Sequence, residues 1–194
     1  MSSSRIIPPY NTVGSTCPLG FPMQQNRHAV PTWSYAMECY PPTRIIEIGS
    51  YNGGFTIAIG VHARQIGARV ISYDVAKAPH ESLAGMAEFL GIEFRTADVW
   101  TIEAEIAHLI ALPGVTFVLC DGGNKKRELA TFARHLKPGD VIATHDYVSP
   151  GSVWWAWSEI GAEDGAAAAA SCDLEPWLQE HFDTAGWLVF RRRR

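Results

Sequence analysis

Between Arg44 and Phe55 an apolar run, Arg44-Ile45-Ile46-Glu47-Ile48, breaks at Gly49 and passes through Ser50-Tyr51-Asn52 to the pair Gly53-Gly54, where a new helical pattern begins. This order describes a strand, a tight turn and a helix start. Glycine serves where the chain needs positive φ or must lay its backbone against a ligand, and a helix start presents unpaired N–H groups and the positive end of a dipole. In an open α/β sheet, such a turn at the carboxyl end of the first strand is where nucleotides bind. The series Glu-x-Gly-x-x-x-Gly-Gly lacks the middle glycine of the dinucleotide fingerprint, which disfavours a nicotinamide enzyme.

Four later runs repeat the theme. Ala68 to Tyr73 ends in Asp74, about twenty residues past the turn, where an acid can accept hydrogen bonds from both hydroxyls of a ribose. Ile92 to Ala97 ends in Asp98, Val115 to Cys120 ends in Asp121, and Asp140 to Thr144 ends in His145-Asp146. Helical spacing is expected over Pro31–Tyr40, Phe55–Ile66, Glu81–Leu90, Ile102–Ile110, Lys125–Leu136 and Val153–Ile160. Gly165 to Ser171 is alanine-rich, with helix propensity but little patterning, and Trp187 to Phe190 reads as a last strand. Alternation of strand and helix implies a parallel sheet with right-handed crossovers and helices on both faces. Parallel strands end on one rim, so the acids should converge on one crevice.

A chain of 194 residues is sized for one domain, divided here into a lead and cap segment, 1–43, and a ligand-binding domain, 44–194. A net charge of -4 offers no general attraction to nucleic acid or anionic membrane. No apolar run reaches the length of a bilayer span and the start lacks a signal-peptide core, so a cytoplasmic protein is expected. In that reducing compartment Cys17, Cys39, Cys120 and Cys172, which form no C-x-x-C pair, are expected as thiols.

Taken together, these motifs resemble the class I S-adenosylmethionine-dependent methyltransferases over roughly Arg44 to Tyr147. The resemblance implies a Rossmann-like, doubly wound α/β fold with a mostly parallel sheet and an antiparallel last strand, whose hairpin partner is shortened or missing here. It implies that Glu47, Gly49, Ser50, Tyr51, Asn52 and Gly53 hold the methionine side of the cofactor. Asp74 would take the ribose, Asp98 would lie beside the adenine, and Asp121 would stand at the fourth strand. Met23-Gln24, the first-strand motif and Asp121-Gly122-Gly123-Asn124-Lys125 are similar to the small cation-dependent O-methyltransferases, both catechol-type and antibiotic- or sugar-tailoring. The implied reaction methylates a small hydroxylated acceptor such as a sugar or phenol.

Methyl transfer from a sulfonium is an in-line displacement, so the protein must mainly hold the two reactants and ease loss of the acceptor proton. If the fourth and fifth strands are neighbours, Asp121 and Asp146 are close enough to share a divalent cation. His145 can be a third ligand only if the chain curls after Thr144, because neighbours in extended backbone point to opposite faces. Two acids suit magnesium, whereas a histidine ligand favours manganese, iron or zinc. The relatives carry their general base three residues after the fourth-strand acid, where this chain has Asn124, which cannot take a proton. His145 then ranks ahead of Lys125 as the base, since lysine needs its pKa lowered toward neutrality.

Plainer roles stand beside these. Asp121 and Asp146 could cap turns. Lys125, Lys126 and Arg127 could form a solvated helix face, and Trp154, Trp155 and Trp157 could pack on the sheet or wall an aromatic acceptor. Met23, Gln24 and His28 could line the acceptor site or simply cover the sheet, and Arg191 to Arg194 reads as a solvated tail. A domain that binds nucleotide without catalysis, or a methyltransferase acting on nitrogen or nucleic acid, are the alternative functions. Oligomeric state is left open, a homo-oligomer included.

Overall fold

The computed structural model describes residues 23–76, 79, 81–149 and 159–194. Among the described residues seven strands form one sheet: β1 (Arg44–Ile48), β2 (Arg69–Asp74), β3 (Glu93–Thr96), β4 (Thr116–Cys120), β5 (Val141–Thr144), β6 (Leu174–Pro176) and β7 (Leu188–Arg192). Their order is β3-β2-β1-β4-β5-β7-β6. The first five are parallel, and β7 enters antiparallel between β5 and β6. The hairpin partner of the last strand is therefore present but short, three residues long. The expected fold, a doubly wound and mostly parallel sheet, is the observed one.

The helices are α1 (Ala29–Cys39), α2 (Gly54–Gln65), α3 (Ala84–Leu90), α4 (Glu103–Ala111), α5 (Lys125–Phe132), α6 (Ala162–Cys172) and α7 (Gln179–Phe182). Most lie within two residues of their expected starts. The stretch expected as helix over Glu81–Leu90 opens with a 3-10 turn, Glu81–Leu83, and the one over Lys125–Leu136 closes with another, Ala133–His135. Of Val153–Ile160, only Glu159 and Ile160 lie within the described residues, and they are not helical. Glu159 N donates to Asp146 O at 3.2 Å and Ile160 bridges Tyr147 in parallel, so pairing with the segment after β5 rather than a helix satisfies this backbone. Trp154, Trp155 and Trp157 fall outside the described residues, as does Cys17.

Successive side chains of a strand point to opposite faces, and the core divides accordingly. Ile45, Phe117, Leu119 and Val189 face α1, α2 and the C-terminal hairpin, in a cluster that holds Trp33, Phe182 and Trp187. Ile46, Ile48, Val118, Cys120 and Phe190 face the opposite way, with Ile106, Leu129 and Phe132. All five residues of β1 and of β4 are buried, as expected of central parallel strands covered on both sides. The chain order reverses between β1 and β4, which places the topological switch point at Gly49 and Asp121. Cys39, Cys120 and Cys172 are free thiols.

Candidate active site

Backbone pairing carries each strand's register past its end and so delivers the rim residues. Gly49 N donates to Tyr73 O at 2.8 Å, Asp121 N to Ile48 O at 2.8 Å and His145 N to Cys120 O at 3.0 Å. Gly49 has φ +90, and a methyl group there would fall within 2.8 Å of the Gly122 Cα and closer still to the Asp121 carbonyl. The turn thus brings β1 and β4 together without side-chain room between them. Tyr51 also takes a positive φ of 50, and Gly53, with φ 84, precedes the first residue of α2.

Around this rim opens a cavity of about 780 Å³, a size ordinary for a small-ligand site. Glu47, Gly49, Ser50, Tyr51, Asp74, Asp98 and Asp121 line it, together with Lys125, His145 and Asp146. Asn52 and Gly53, both expected at the cofactor, do not. A side chain at Gly53 would meet Pro79 and Phe94, and it is Gly54 and Phe55 that stand on the cavity wall.

Two polar sets divide the cavity. In the first, Asp74 Oδ2 accepts from Tyr51 N at 2.8 Å and Oδ1 from Ala76 N at 2.9 Å, which locks the glycine turn to the end of β2. Asp98 accepts from Trp100 N at 3.0 Å in a similar local turn. Each carboxylate keeps lone pairs for a ligand. Glu47 is 1% exposed and accepts from Thr56 Oγ1 at 2.6 Å and from Ser72 Oγ. Because the Ser72 hydrogen is committed to Glu47, Ser50 is the donor in the 2.6 Å contact between the two serine hydroxyls. Burial pushes the Glu47 carboxyl up to about 7, against the lowering effect of Ser72 and Thr56.

The second set gathers at the ends of β4 and β5. Asp146 adopts φ 57, which supplies the curl after Thr144 that lets His145 and Asp146 face the same point. One ligand atom each from Asp121, His145 and Asp146 lies within 4.8 Å of the others. His145 Nδ1 is 3.0 Å from Asp121 Oδ1 and 3.3 Å from Asp146 Oδ1. Burial pulls the imidazolium down, but Asp121 and Asp146 outweigh it and leave His145 above its ordinary value. Lys125 reaches the same place, with Nζ 2.9 Å from Asp146 Oδ2, 3.6 Å from Asp121 Oδ1 and 3.3 Å from Glu159 Oε2. Burial lowers its pKa too, yet the three carboxylates more than offset this and raise it. These surroundings favour the ammonium form of Lys125, which weighs against the expected role as a base.

Asn124 caps α5 by accepting from Arg127 N at 3.1 Å. Glu128 reinforces the turn by accepting from Gly122 N and Asn124 N, both at 3.1 Å. The solvated-face reading holds for Lys126, which is 58% exposed, and fails for Lys125. Arg127 lies over the Trp100 ring.

Gln25 is the site residue that the sequence pattern did not single out. Its side chain, 2% exposed, donates from Nε2 to Asp121 Oδ2 at 2.6 Å and accepts from Trp187 Nε1 at 3.1 Å. Trp187 in turn packs 4.9 Å from the His145 ring. Met23 and Gln24 line the cavity as well, so the lead segment enters the site. A Gln25→Leu variant strands both the Trp187 N–H and one Asp121 oxygen, at an expected cost of about 2 kcal/mol. Urea denaturation checks this, and coupling to Trp187→Phe should make the double variant less destabilised than the sum; strict additivity would refute the link.

No family model matches this sequence, and no curated protein does either. Solved structures do match in shape. The apo form of CmcI-N160 aligns with TM-score 0.68 and 18% identity over 93% of this chain and 76% of that one. CmcI-D160 with Mg and SAM aligns with TM-score 0.64 and 19% identity, over 90% and 75%. A Burkholderia thailandensis 1,6-didemethyltoxoflavin-N1-methyltransferase, with its substrate and S-adenosylhomocysteine bound, aligns with TM-score 0.52 and 15% identity, over 86% and 79%. At such identities the likeness shows the fold alone, the mostly parallel α/β sheet described above, which these chains share.

Proposed function

We propose that this chain, built on the class I methyltransferase fold, is an S-adenosylmethionine-dependent O-methyltransferase assisted by a divalent cation. The observation that carries this reading is one cavity holding two polar sets, Asp74 with the glycine turn and the Asp121, His145 and Asp146 cluster. The first suits a nucleoside, and the second suits a hydroxyl that must lose its proton. A class I fold bound to both Mg and SAM is on record in CmcI-D160, which supports the pairing.

In this reading the backbone of Gly49 to Tyr51 and the start of α2 receive the methionine end of the methyl donor, and Asp74 accepts from the ribose hydroxyls. Glu47, buried behind the turn, supplies negative charge to the donor's ammonium. Asp121, His145 and Asp146 fit a divalent ion as one nitrogen and two oxygen donors, a mixture that favours manganese over magnesium. Such an ion would supply Lewis acidity to an acceptor hydroxyl. As a ligand His145 would commit its Nδ1 lone pair to the ion, so only with the ion absent could that nitrogen, set between two carboxylates, take the released proton. The acceptor is a small hydroxylated molecule, since the lead segment and the end of β5 bound the cavity. Among the described residues no helix is long and apolar enough to cross a membrane.

Calorimetric titration of metal-stripped protein with S-adenosylmethionine tests the proposal. Asp74→Ala is expected to weaken methyl-donor binding about 100-fold, the loss of two charge-assisted hydrogen bonds. Asp146→Ala should retain methyl-donor binding and lose the heat of manganese binding. Native protein that binds no methyl donor would end this reading.

A further inference from the structure

Lys125 occupies an improbable position for a lysine. It is the first residue of α5, where the helix dipole disfavours a cation, and only 5% of it is exposed. Its neighbour Lys126 turns outward to Asp164, showing that the local chain has room to place a lysine at the surface. What holds Lys125 inside is a ring of oxygens: the Gly122 carbonyl at 2.9 Å, with Asp146, Asp121 and Glu159. Asp121 and Asp146 are the same two carboxylates that form the candidate metal set with His145. Gln25 meanwhile engages the other oxygen of Asp121.

We infer that the Lys125 ammonium is the resident cation of the Asp121 and Asp146 pair, so that a divalent ion binds there only by displacing a side chain of the protein itself. The inference rests on the proposed metal set and deepens it. An ammonium at 2.9 Å from Asp146 and 3.6 Å from Asp121 neutralises charge that a metal would need, and both cations together would repel at short range. Lys125 brings one positive charge and hydrogen-bond donors to the point where the acceptor oxygen would become negative. The chain thus carries a weak metal site by construction.

The test uses the full chain without methyl donor or acceptor and measures Mn2+ binding by the paramagnetic resonance of free Mn2+. Native protein is compared with Lys125→Met, Lys125→Gln and Lys125→Arg. Removing the charge should tighten Mn2+ binding roughly 10- to 100-fold in the Met and Gln variants, and the Arg variant should stay near native. Thermal melting gives a second readout: the Met and Gln variants should melt lower than native without metal and regain the loss with Mn2+. Lys125→Gln keeps a donor for the Gly122 carbonyl and serves if the Met variant does not fold. Equal or weaker Mn2+ binding in the charge-removed variants overturns the inference, and if the native chain binds Mn2+ well the cation-assisted reading survives it. Absence of Mn2+ binding in every variant overturns both, while methyl-donor binding is judged separately by titration.

Discussion

Gly49→Ala is expected to destabilise the protein by about 4 kcal/mol and to abolish ligand binding at the rim. Two costs add. A side chain at φ +90 carries about 1–2 kcal/mol of backbone strain. The added methyl would also press on the Asp121 carbonyl and the Gly122 Cα, which are backbone and cannot rotate away, so about 1–3 kcal/mol of overpacking follows. Relief would require β1 and β4 to separate at their carboxyl ends, where Asp121 N pairs with Ile48 O. The separation would move Asp121 away from His145 and Gln25. Urea denaturation of Gly49→Ala beside Gly123→Ala is the check, since a methyl at Gly123 meets nothing within 4 Å and should cost less than about 0.5 kcal/mol. Equal stability of the two variants would contradict the close approach at the switch point.

The second large effect is a loss of stability with rising pH that Glu47→Gln removes. The Glu47 carboxyl stands near 4.5 when unfolded and is raised to about 7 by burial in the fold. A raised folded value means that the native state binds the proton more tightly, so the stabilisation is complete below about pH 4.5 and is lost as pH climbs to about 7. The span corresponds to about 3 kcal/mol. His145, also raised, adds a loss of the same sign that begins near its ordinary value of 6.5. Glutamine keeps an oxygen for the Thr56 and Ser72 hydroxyls and removes the ionisation, so only the Glu47 share should vanish. Denaturation at several pH values between 4.5 and 8 measures the difference between native and variant; parallel curves would mean that Glu47 ionises in the fold as it does in water. The same group bears on the proposed function, because an ammonium bound beside Glu47 favours its ionised form and should make methyl-donor affinity rise with pH across this window.

Much of the architecture was legible because it is written locally. Alternating apolar runs, glycines at a strand end and helical spacing each act over a few residues, and β1 to β5 with their helices fall where those patterns place them. The rim acids were legible for the same reason, since parallel strands must end together. The misreadings come from competition that no local pattern records. Asn52 and Gly53 do not stand on the cavity wall, where Gly54 and Phe55 do. Glu159 and Ile160 are extended because pairing at Asp146 and Tyr147 satisfies their backbone better than a helix end would. Lys125 looked like part of a charged helix face, and only its neighbours across the sheet reveal it as a buried ammonium.

By itself the sequence determined the class of the fold, the location of the switch point and which acids reach the rim, because periodicity and glycine placement are short-range constraints on the backbone. Tertiary structure decided what those acids do. It set Asp146 into the left-handed region so that His145 and Asp146 share a point, brought Lys125 to the carboxylates of Asp121, Asp146 and Glu159, and joined Gln25 to Trp187 across 162 residues. Protonation and partnership depend on burial and on charges a few ångströms away, and those distances exist only once segments far apart in the chain have packed together.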